Sequence, residues 1–516
     1  MKKSGNTQAL RTFRNARLVS GAGMAGVLLA SHLALADGDD RHWSSQVNQV
    51  GDVFIIALEN HNFTQPNPTA TPQQIFGNPA APYLNSLVTP GNPNSAQVSY
   101  ASHYFNAGTG VHPSEPNYVW AETGTDFGFH SDADPSYANG NKFYDNSSSL
   151  ISSLNASGNQ VLTWHFNRTP HLVAQLDAVG IPWKNYQEDV SLSQSPTNSA
   201  YGTNGPVNPF NGTTQYNYAP KHNPMAFFTE SAFANVYELS QLFTDLANNT
   251  VGRYNWITPD QYNEAHSPLN NGFTYNGVHY TGDQSSVASA DNFLSHVIPQ
   301  IMASKAYQDN GVIVLWWDES EGGDTTSQSV PEIIISPLAK GNAYASPVAM
   351  NHSSDIKTWE EVFGLPALNN PIPATETNVE QAGVFNNVAT VNDLSDLFVP
   401  GAIPTNAFSV TSEGFVTDGR NGHKKETLRI TNTGSTAVYN SIWIALDNLT
   451  PGVTLLNADA NTEVLAPLGS PAVKLNDGDD NILRPYQSRK VTLEFLDPNS
   501  DPITYDPRVL NVEPAP

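Results

Sequence analysis

The sequence predicts an α/β protein: a mostly parallel sheet flanked by helices, followed by a small C-terminal antiparallel β-sandwich. Three observations carry this reading. Short unbroken apolar runs, such as Gly51–Leu58 and Gly311–Trp317, suit strands buried on both faces of a parallel sheet. Stretches with helical apolar spacing fall between them. After about Pro400 the texture changes to alternating apolar and polar runs punctuated by Asn, Gly and Asp turns.

Taken in order, the N-terminus carries Lys2, Lys3, Arg11, Arg14 and Arg17 with no acid before Asp37. Leu18–Ala36 follows, rich in Gly, Ala and Leu and closing on Ala34-Leu35-Ala36. A basic region, an apolar region and an Ala-x-Ala site describe a signal peptide over residues 1–36, and so a secreted or periplasmic chain after cleavage near Ala36. Ser20, Ser31 and His32 break the apolar core, which is too weak for a transmembrane span.

Residues 37–402 read as one large α/β domain. Gly51–Leu58 is its first strand and ends in Glu59-Asn60-His61-Asn62. Tyr254–Thr258, Gly311–Trp317 and Glu332–Ser336 repeat the pattern, the second of these followed by Asp318-Glu319. Helices are expected over Ser148–Ala156, Thr169–Gly180, Ala290–Ala306 and Asp355–Phe363. The polar, aromatic-bearing loops Ser191–Gly212 and Asn263–Gly282 are expected to roof a pocket. Residues 403–516 then supply the sandwich, of immunoglobulin or fibronectin type III texture, from Phe408–Thr417, Lys424–Thr433, Ala437–Asp447 and Arg489–Leu496.

Composition narrows the function classes. A net charge of −25 over 516 residues repels nucleic acid and anionic membrane surfaces alike. With no cysteine there is neither a thiolate nucleophile nor a disulfide. The oligomeric state is not encoded in any feature of the sequence.

Chemistry concentrates in Gly110–Gly124. Pro113 and Pro116 stiffen a bend around Ser114, and Asn117 is available as the cap of a following helix. A hydroxyl before a helix N-terminus faces orphan amides, where phosphate groups bind well. His112 adds a proton donor two residues earlier. The ends of two parallel strands supply Glu59, Asn60, Asp318 and Glu319, along one sheet edge where such folds place ligands. Hard oxygens of this kind suit one divalent cation, Ca²⁺, Mg²⁺, Mn²⁺ or Zn²⁺ being indistinguishable. Lys221-His222 pairs a fixed cation with an acid–base group, and His266 and His352 lie in comparable polar settings. His61, His103, His130, His165, His171, His279 and His296 have no such setting.

Together, Glu59-Asn60 after an apolar strand, His-Pro-Ser-x-Pro-Asn-Tyr at 112–118, Lys-His-Asn-Pro at 221–224, Asp318-Glu319 and Asn-His-Ser-Ser at 351–354 resemble the phosphoesterase family. That family holds bacterial acid phosphatases and phosphatidylcholine-type phospholipases C, and is related in fold to the alkaline phosphatase superfamily. The resemblance implies an alkaline-phosphatase-like domain and a metal-dependent phosphoric ester hydrolase acting through a phospho-Ser intermediate. It implies Ser114 as nucleophile, with Glu59, Asn60, Ser114, Asp318 and Glu319 as metal ligands. It also implies that His222, His266 and His352 line the phosphate site as catalytic groups, and that His112, Asn117 and Lys221 bind substrate. A second metal site from Asp260, His266 and His352 is a further arrangement it leaves open. The first reading is an acid phosphatase. A phospholipase C or phosphodiesterase of the same family, and a secreted binding or adhesion protein with an inactive enzyme-like domain, stay open beside it.

Overall fold

Every side chain of Val53–Leu58 (β1) is buried, and the strand lies inside an eight-stranded sheet. The computed structural model describes residues 49–64, 74–108, 111–126, 132, 134–138, 142–144, 170–191, 200–228, 231–321, 328–365, 367–368, 391–404, 408–419, 422–433, 437–439, 442–462, 469–475, 482–498 and 502–510. The expected signal peptide and the expected helix Ser148–Ala156 lie outside the described residues.

The other strands of the sheet are Val98–Ala101 (β2), Trp183–Gln187 (β3), Val236–Glu238 (β4), Tyr254–Thr258 (β5), Val312–Trp317 (β6), Glu332–Ile335 (β7) and Tyr344–Ser346 (β8). Their order is β8-β2-β7-β6-β1-β5-β3-β4. From β6 to β4 all neighbours are parallel, and β8 also runs parallel to β2. β7 is antiparallel to both of its neighbours, where the sequence suggested another strand of the parallel kind. A four-residue apolar run buried on both faces looks the same in either direction, so direction was not legible.

Register places the chemistry. Leu58 pairs with Trp317 and Ile56 with Ile257, so the carboxyl ends of β1, β6 and β5 fall on one edge. Asp318 N–H donates to Leu58 O at 3.1 Å, extending the ladder by one residue beyond both strands.

The helices pack over this edge and the sheet faces. They are Pro82–Leu87 (α1), Ser114–Thr123 (α2), Leu172–Val179 (α3), Ser240–Asn248 (α4), Asp283–Met302 (α5) and His352–Phe363 (α6). α2 begins at Ser114 itself, with Pro113 at the N-cap and Gly124 in the left-handed conformation (φ 70°) at its end. Asn117 is therefore inside the helix and does not cap it; the prolines set the start earlier than the cap rule suggested. α5 starts seven residues ahead of Ala290, and its Asp291 carboxylate accepts the Tyr83 and Leu84 amides at the start of α1 (2.9 and 2.7 Å). α6 opens on a capping box between Asn351 and Ser354. Parts of the two expected pocket-roofing loops form short strand pairs, Ala200–Gly202 with Tyr216–Tyr218 and Phe273–Tyr275 with Val278–Tyr280.

The C-terminal part forms separate antiparallel sheets. Phe408–Thr417, Lys424–Asn432, Ser488–Leu496 and Thr454–Leu455 make one of four strands; Ala460–Asn461, Pro471–Lys474, Trp443–Asp447 and Asp506–Leu510 make another. Leu428, Ile430, Leu493 and Phe495 of the first face Ile444, Leu446 and Val473 of the second in one core, which is a sandwich. Ala402 and Ile403 still belong to the core of the large sheet. Among the described residues no helix is long and apolar enough to cross a membrane.

One core group sets a stability prediction. Glu122 of α2 is fully buried; its Oε2 accepts Val173 N–H at 3.0 Å, and its Oε1 has no hydrogen-bond partner among the described residues. Burial pushes its carboxyl up to about 8 from the usual 4.5. A raised folded-state pKa gives stability that is complete below the unfolded value and is lost as pH rises through the folded one, on the order of a few kcal/mol for a shift of this size. Glu122→Gln keeps an acceptor for Val173 and removes the proton. Its melting temperature should exceed that of the wild type near pH 8 and match it near pH 4.5; an equal offset at both pH values contradicts this assignment.

Candidate active site

Ser114 Oγ–H donates to Glu59 Oε2 at 2.8 Å, and the same oxygen lies 3.2 Å from Glu319 Oε1 and 3.2 Å from Asn60 Oδ1. Asp318 completes the group: its Oδ1 accepts Asn60 N–H at 2.9 Å, and its carboxylate also bonds to Ser114. Of the five residues chosen from sequence as metal ligands, four thus converge on the hydroxyl of the fifth, Ser114, at the N-terminus of α2. Asn60 reaches this position with φ 36°, a left-handed conformation that Asn tolerates better than most residues. The turn re-aims the chain immediately past β1.

Neighbours hold the carboxylates. Glu319 Oε2 accepts from His112 Nδ1–H and from Asn117 Nδ2 (3.4 Å), while His112 Nε2 accepts from Asn106 Nδ2 at 3.0 Å. Asn117 also donates to Val111 O at 3.1 Å and is fully buried. His112 and Asn117 therefore orient Glu319. His61, set aside in the sequence, donates from Nδ1 to Glu59 O at 3.0 Å and pairs through Nε2 with Asp283 at 3.3 Å.

His222 faces the far side of Glu59. Its Nδ1 hydrogen-bonds to Glu264 Oε1 at 2.8 Å, and its Nε2 lies 3.3 Å from Glu59 Oε1. Its ring stacks on Tyr118, 5.0 Å between centroids and 12° between planes. His266 is 5.9 Å from His222, centroid to centroid, and partly exposed. Its Nδ1 meets Ser267 Oγ at 3.1 Å, and burial with the Lys221 charge pushes its pKa down to about 4. Lys221 Nζ pairs with Asp132 Oδ2 at 2.5 Å, and its charge acts on Glu59, Glu264, His222 and His266.

His352 stands elsewhere. Its Nε2–H donates to Trp317 O at 3.0 Å and its ring lies 4.6 Å from Trp316, behind the end of β6. Its polar contact is thus to the strand that carries Asp318, and none is to Ser114. The Asp260, His266 and His352 grouping is not formed either, because Asp260 bonds its own turn and neighbours Glu188 and Asp189. Glu264 was missed. The signal available was its place in Asn263-Glu264-Ala265-His266, but nothing in the spacing distinguished it from a loop acid.

Electrostatics bear on a metal. Burial pushes Glu59 and Asp318 well above the usual carboxylate range, with repulsion from Asp318 and Glu319 respectively adding to it. Glu319 is raised as well, by burial, against the pull of His112. Three buried carboxylates around one hydroxyl need protons or a cation to offset their charge. The donor set is all oxygen, and the Asn60 amide can turn either way. With nitrogen inward it donates to Glu59 Oε2 at 2.6 Å; with oxygen inward it offers a fourth kind of hard ligand. This set fits a divalent cation. A second grouping, Glu59, His222 and Glu264, has ligand atoms within 4.8 Å of one another.

Residues 34–366 match the model of the phosphoesterase family. The chain belongs to the phosphoesterase family. It is a hydrolase acting on phosphoric esters, as the family membership and its acid phosphatase relatives establish. This phosphoesterase is 23% identical over 360 residues to the phosphatidylinositol-3-phosphatase of Mycobacterium tuberculosis, covering 68% of this chain and 90% of that one. It is 31% identical over 167 residues to an acid phosphatase of Aspergillus fumigatus, covering 30% of this chain and 28% of that one. A probable acid phosphatase of Kluyveromyces lactis matches at 24% over 218 residues, 41% of this chain and 39% of that one. Among solved structures, a protein of the alkaline phosphatase superfamily from Vibrio parahaemolyticus aligns with a TM-score of 0.38 at 12% identity, over 76% of this chain and 80% of that one.

A cation that binds the folded site alone should raise the melting temperature of chelator-treated protein. The gain is about 2.7 kcal/mol at a hundredfold excess over the dissociation constant. Differential scanning fluorimetry with Mn²⁺, Mg²⁺ or Ca²⁺ should show the rise, and Asp318→Asn should abolish it. The effect should shrink as pH falls, because protons compete for the raised carboxylates Glu59 and Asp318. No shift with any divalent ion contradicts the metal assignment.

Proposed function

We propose that the protein is an exported, metal-dependent phosphomonoesterase of acid phosphatase type that works through a phospho-Ser114 intermediate. The observation that carries the reading is Ser114 Oγ, at the first position of α2, within 3.2 Å of oxygens from Glu59, Asn60 and Glu319. A divalent cation bound by Glu59, Asn60, Ser114, Asp318 and Glu319 would lower the pKa of the hydroxyl and screen the phosphate charge. Ser114 opens α2, and a helix N-terminus favours a bound phosphate.

The chain's own groups then divide the work. Ser114 Oγ gives its proton to Glu59 Oε2, on which it already hydrogen-bonds, and attacks phosphorus in line. The bond from phosphorus to the alcohol oxygen breaks, and His266, the partly exposed imidazole of the group, protonates that oxygen. Water then attacks the phospho-Ser and gives its proton to His266, the bond from phosphorus to Ser114 breaks, phosphate leaves, and Ser114 recovers its proton from Glu59. Lys221 adds positive potential over a site set in a chain of charge −25.

A monoester is favoured over a diester because the relative matched over most of its length is named a phosphatidylinositol-3-phosphatase, a monoesterase. The diesterase reading of the same family is the competing one. Export rests on the N-terminal pattern of residues 1–36, with residues 37–402 as the catalytic domain and 403–516 as an immunoglobulin- or fibronectin-like sandwich.

The test is turnover of p-nitrophenyl phosphate and p-nitrophenyl phosphocholine, with and without chelator. Chelator-sensitive hydrolysis of the monoester is expected. Ser114→Ala should lower kcat by three orders of magnitude or more (~10³-fold or greater) while the fold is kept. A preference for the phosphocholine diester assigns the site to the phospholipase C type, and near-normal turnover by Ser114→Ala overturns the nucleophile.

A further inference from the structure

Glu264 has no part in the reaction as just described, yet the backbone goes to some cost to place it. Its N–H donates to Asp260 O at 2.9 Å, and its carbonyl accepts Glu59 N–H at 2.8 Å. The next residue, Ala265, has φ 81°. A non-glycine residue rarely adopts that region, so the surrounding structure holds this turn against strain. The result is a fully buried carboxyl whose Oε1 hydrogen-bonds to His222 Nδ1 at 2.8 Å, with Oε2 lacking a hydrogen-bond partner among the described residues.

His222 is held as firmly. Tyr118 covers one ring face, and Thr258 Oγ1–H donates to the His222 carbonyl at 3.0 Å. With Nδ1 given to Glu264, Nε2 is left facing Glu59 Oε1 at 3.3 Å. The other oxygen of Glu59 is the one on which Ser114 Oγ–H hydrogen-bonds. One string of contacts therefore runs Glu264, His222, Glu59, Ser114.

We propose that Glu264 and His222 are positioning residues that brace Glu59. Glu264 carries the proton of its bond to Nδ1, which leaves the ring hydrogen on Nε2 to face Glu59 Oε1 at 3.3 Å, so that Oε2 is presented to Ser114 and to the cation. The inference rests on reading Glu59 as a cation ligand. It also moves His222 away from direct work on the substrate: only 1% of the residue is exposed, and both ring nitrogens face carboxylates. Proton donation falls to His266. Partners that orient a metal-ligating carboxylate typically cost ten- to a hundredfold in metal affinity when removed.

The experiment is titration calorimetry of Mn²⁺ into the chelator-stripped full chain. The wild type should bind one ion. Glu264→Ala and His222→Gln should weaken it by about ten- to a hundredfold. Glu264→Gln, which is isosteric and keeps a hydrogen-bond partner for Nδ1, should weaken it less, and it carries the test if Glu264→Ala does not fold. KM for p-nitrophenyl phosphate at saturating Mn²⁺ should stay that of the wild type in Glu264→Gln, because neither bracing residue touches the ester. Asp318→Asn is the control for the underlying reading. If it binds Mn²⁺ as the wild type does, the cation site itself is misassigned. If it loses the ion while Glu264→Ala and Glu264→Gln bind as tightly as the wild type, the brace is wrong. Two ions in the wild type, one of them lost in Glu264→Ala, would assign Glu59, His222 and Glu264 to a second metal instead and overturn the brace equally.

Discussion

Like charges packed into the protein interior are the constraint on which the rest of this structure turns. Glu59, Asp318 and Glu319 are all essentially buried, and all three approach the hydroxyl of Ser114. In a medium of low dielectric such a set is costly unless protons or a cation offset it. A protein that only needed to fold would not retain the arrangement. Its value lies in what it can hold: a hard cation against a hydroxyl, beside a helix N-terminus suited to phosphate.

The fold meets that cost through register and bracing. β1 and β6 end side by side, so Glu59 and Asp318 leave the sheet as neighbours, and Asn60 N–H ties the second to the first. α2 enters over the same edge and brings Ser114 in from a distant part of the chain. A second layer holds the acids: His112 and Asn117 on Glu319, His61 on the Glu59 carbonyl, His222 on the Glu59 carboxylate. Behind His222 stands Glu264, placed by a strained turn at Ala265. His61, His112 and His222 thus serve the carboxylates.

Much of this was legible in the sequence because each ligand pair follows a short apolar run. Buried strands of a parallel sheet present their carboxyl ends together, so Glu59-Asn60 and Asp318-Glu319 could be grouped before any coordinates. Ser114 was legible from the prolines around it. The antiparallel course of β7 was not, since direction leaves no mark on a run such as Glu-Ile-Ile-Ile. Nor was the role of Glu264: it lies in a loop and acts through a residue more than forty positions earlier (|i−j| = 42). His352 misled for the opposite reason. Its polar setting at the start of α6 resembles a site, but its ring is turned to the aromatic core and the Trp317 carbonyl.

The central claim is that phosphate passes through Ser114, and stereochemistry at phosphorus tests it most directly. A monoester made chiral with oxygen isotopes would be turned over in the presence of an alcohol acceptor, and the configuration of the product ester read by phosphorus NMR. Two in-line displacements, the first by Ser114 and the second by the acceptor, give net retention, which is the result this account predicts. Inversion would mean a single direct displacement with no phospho-enzyme, and would contradict it.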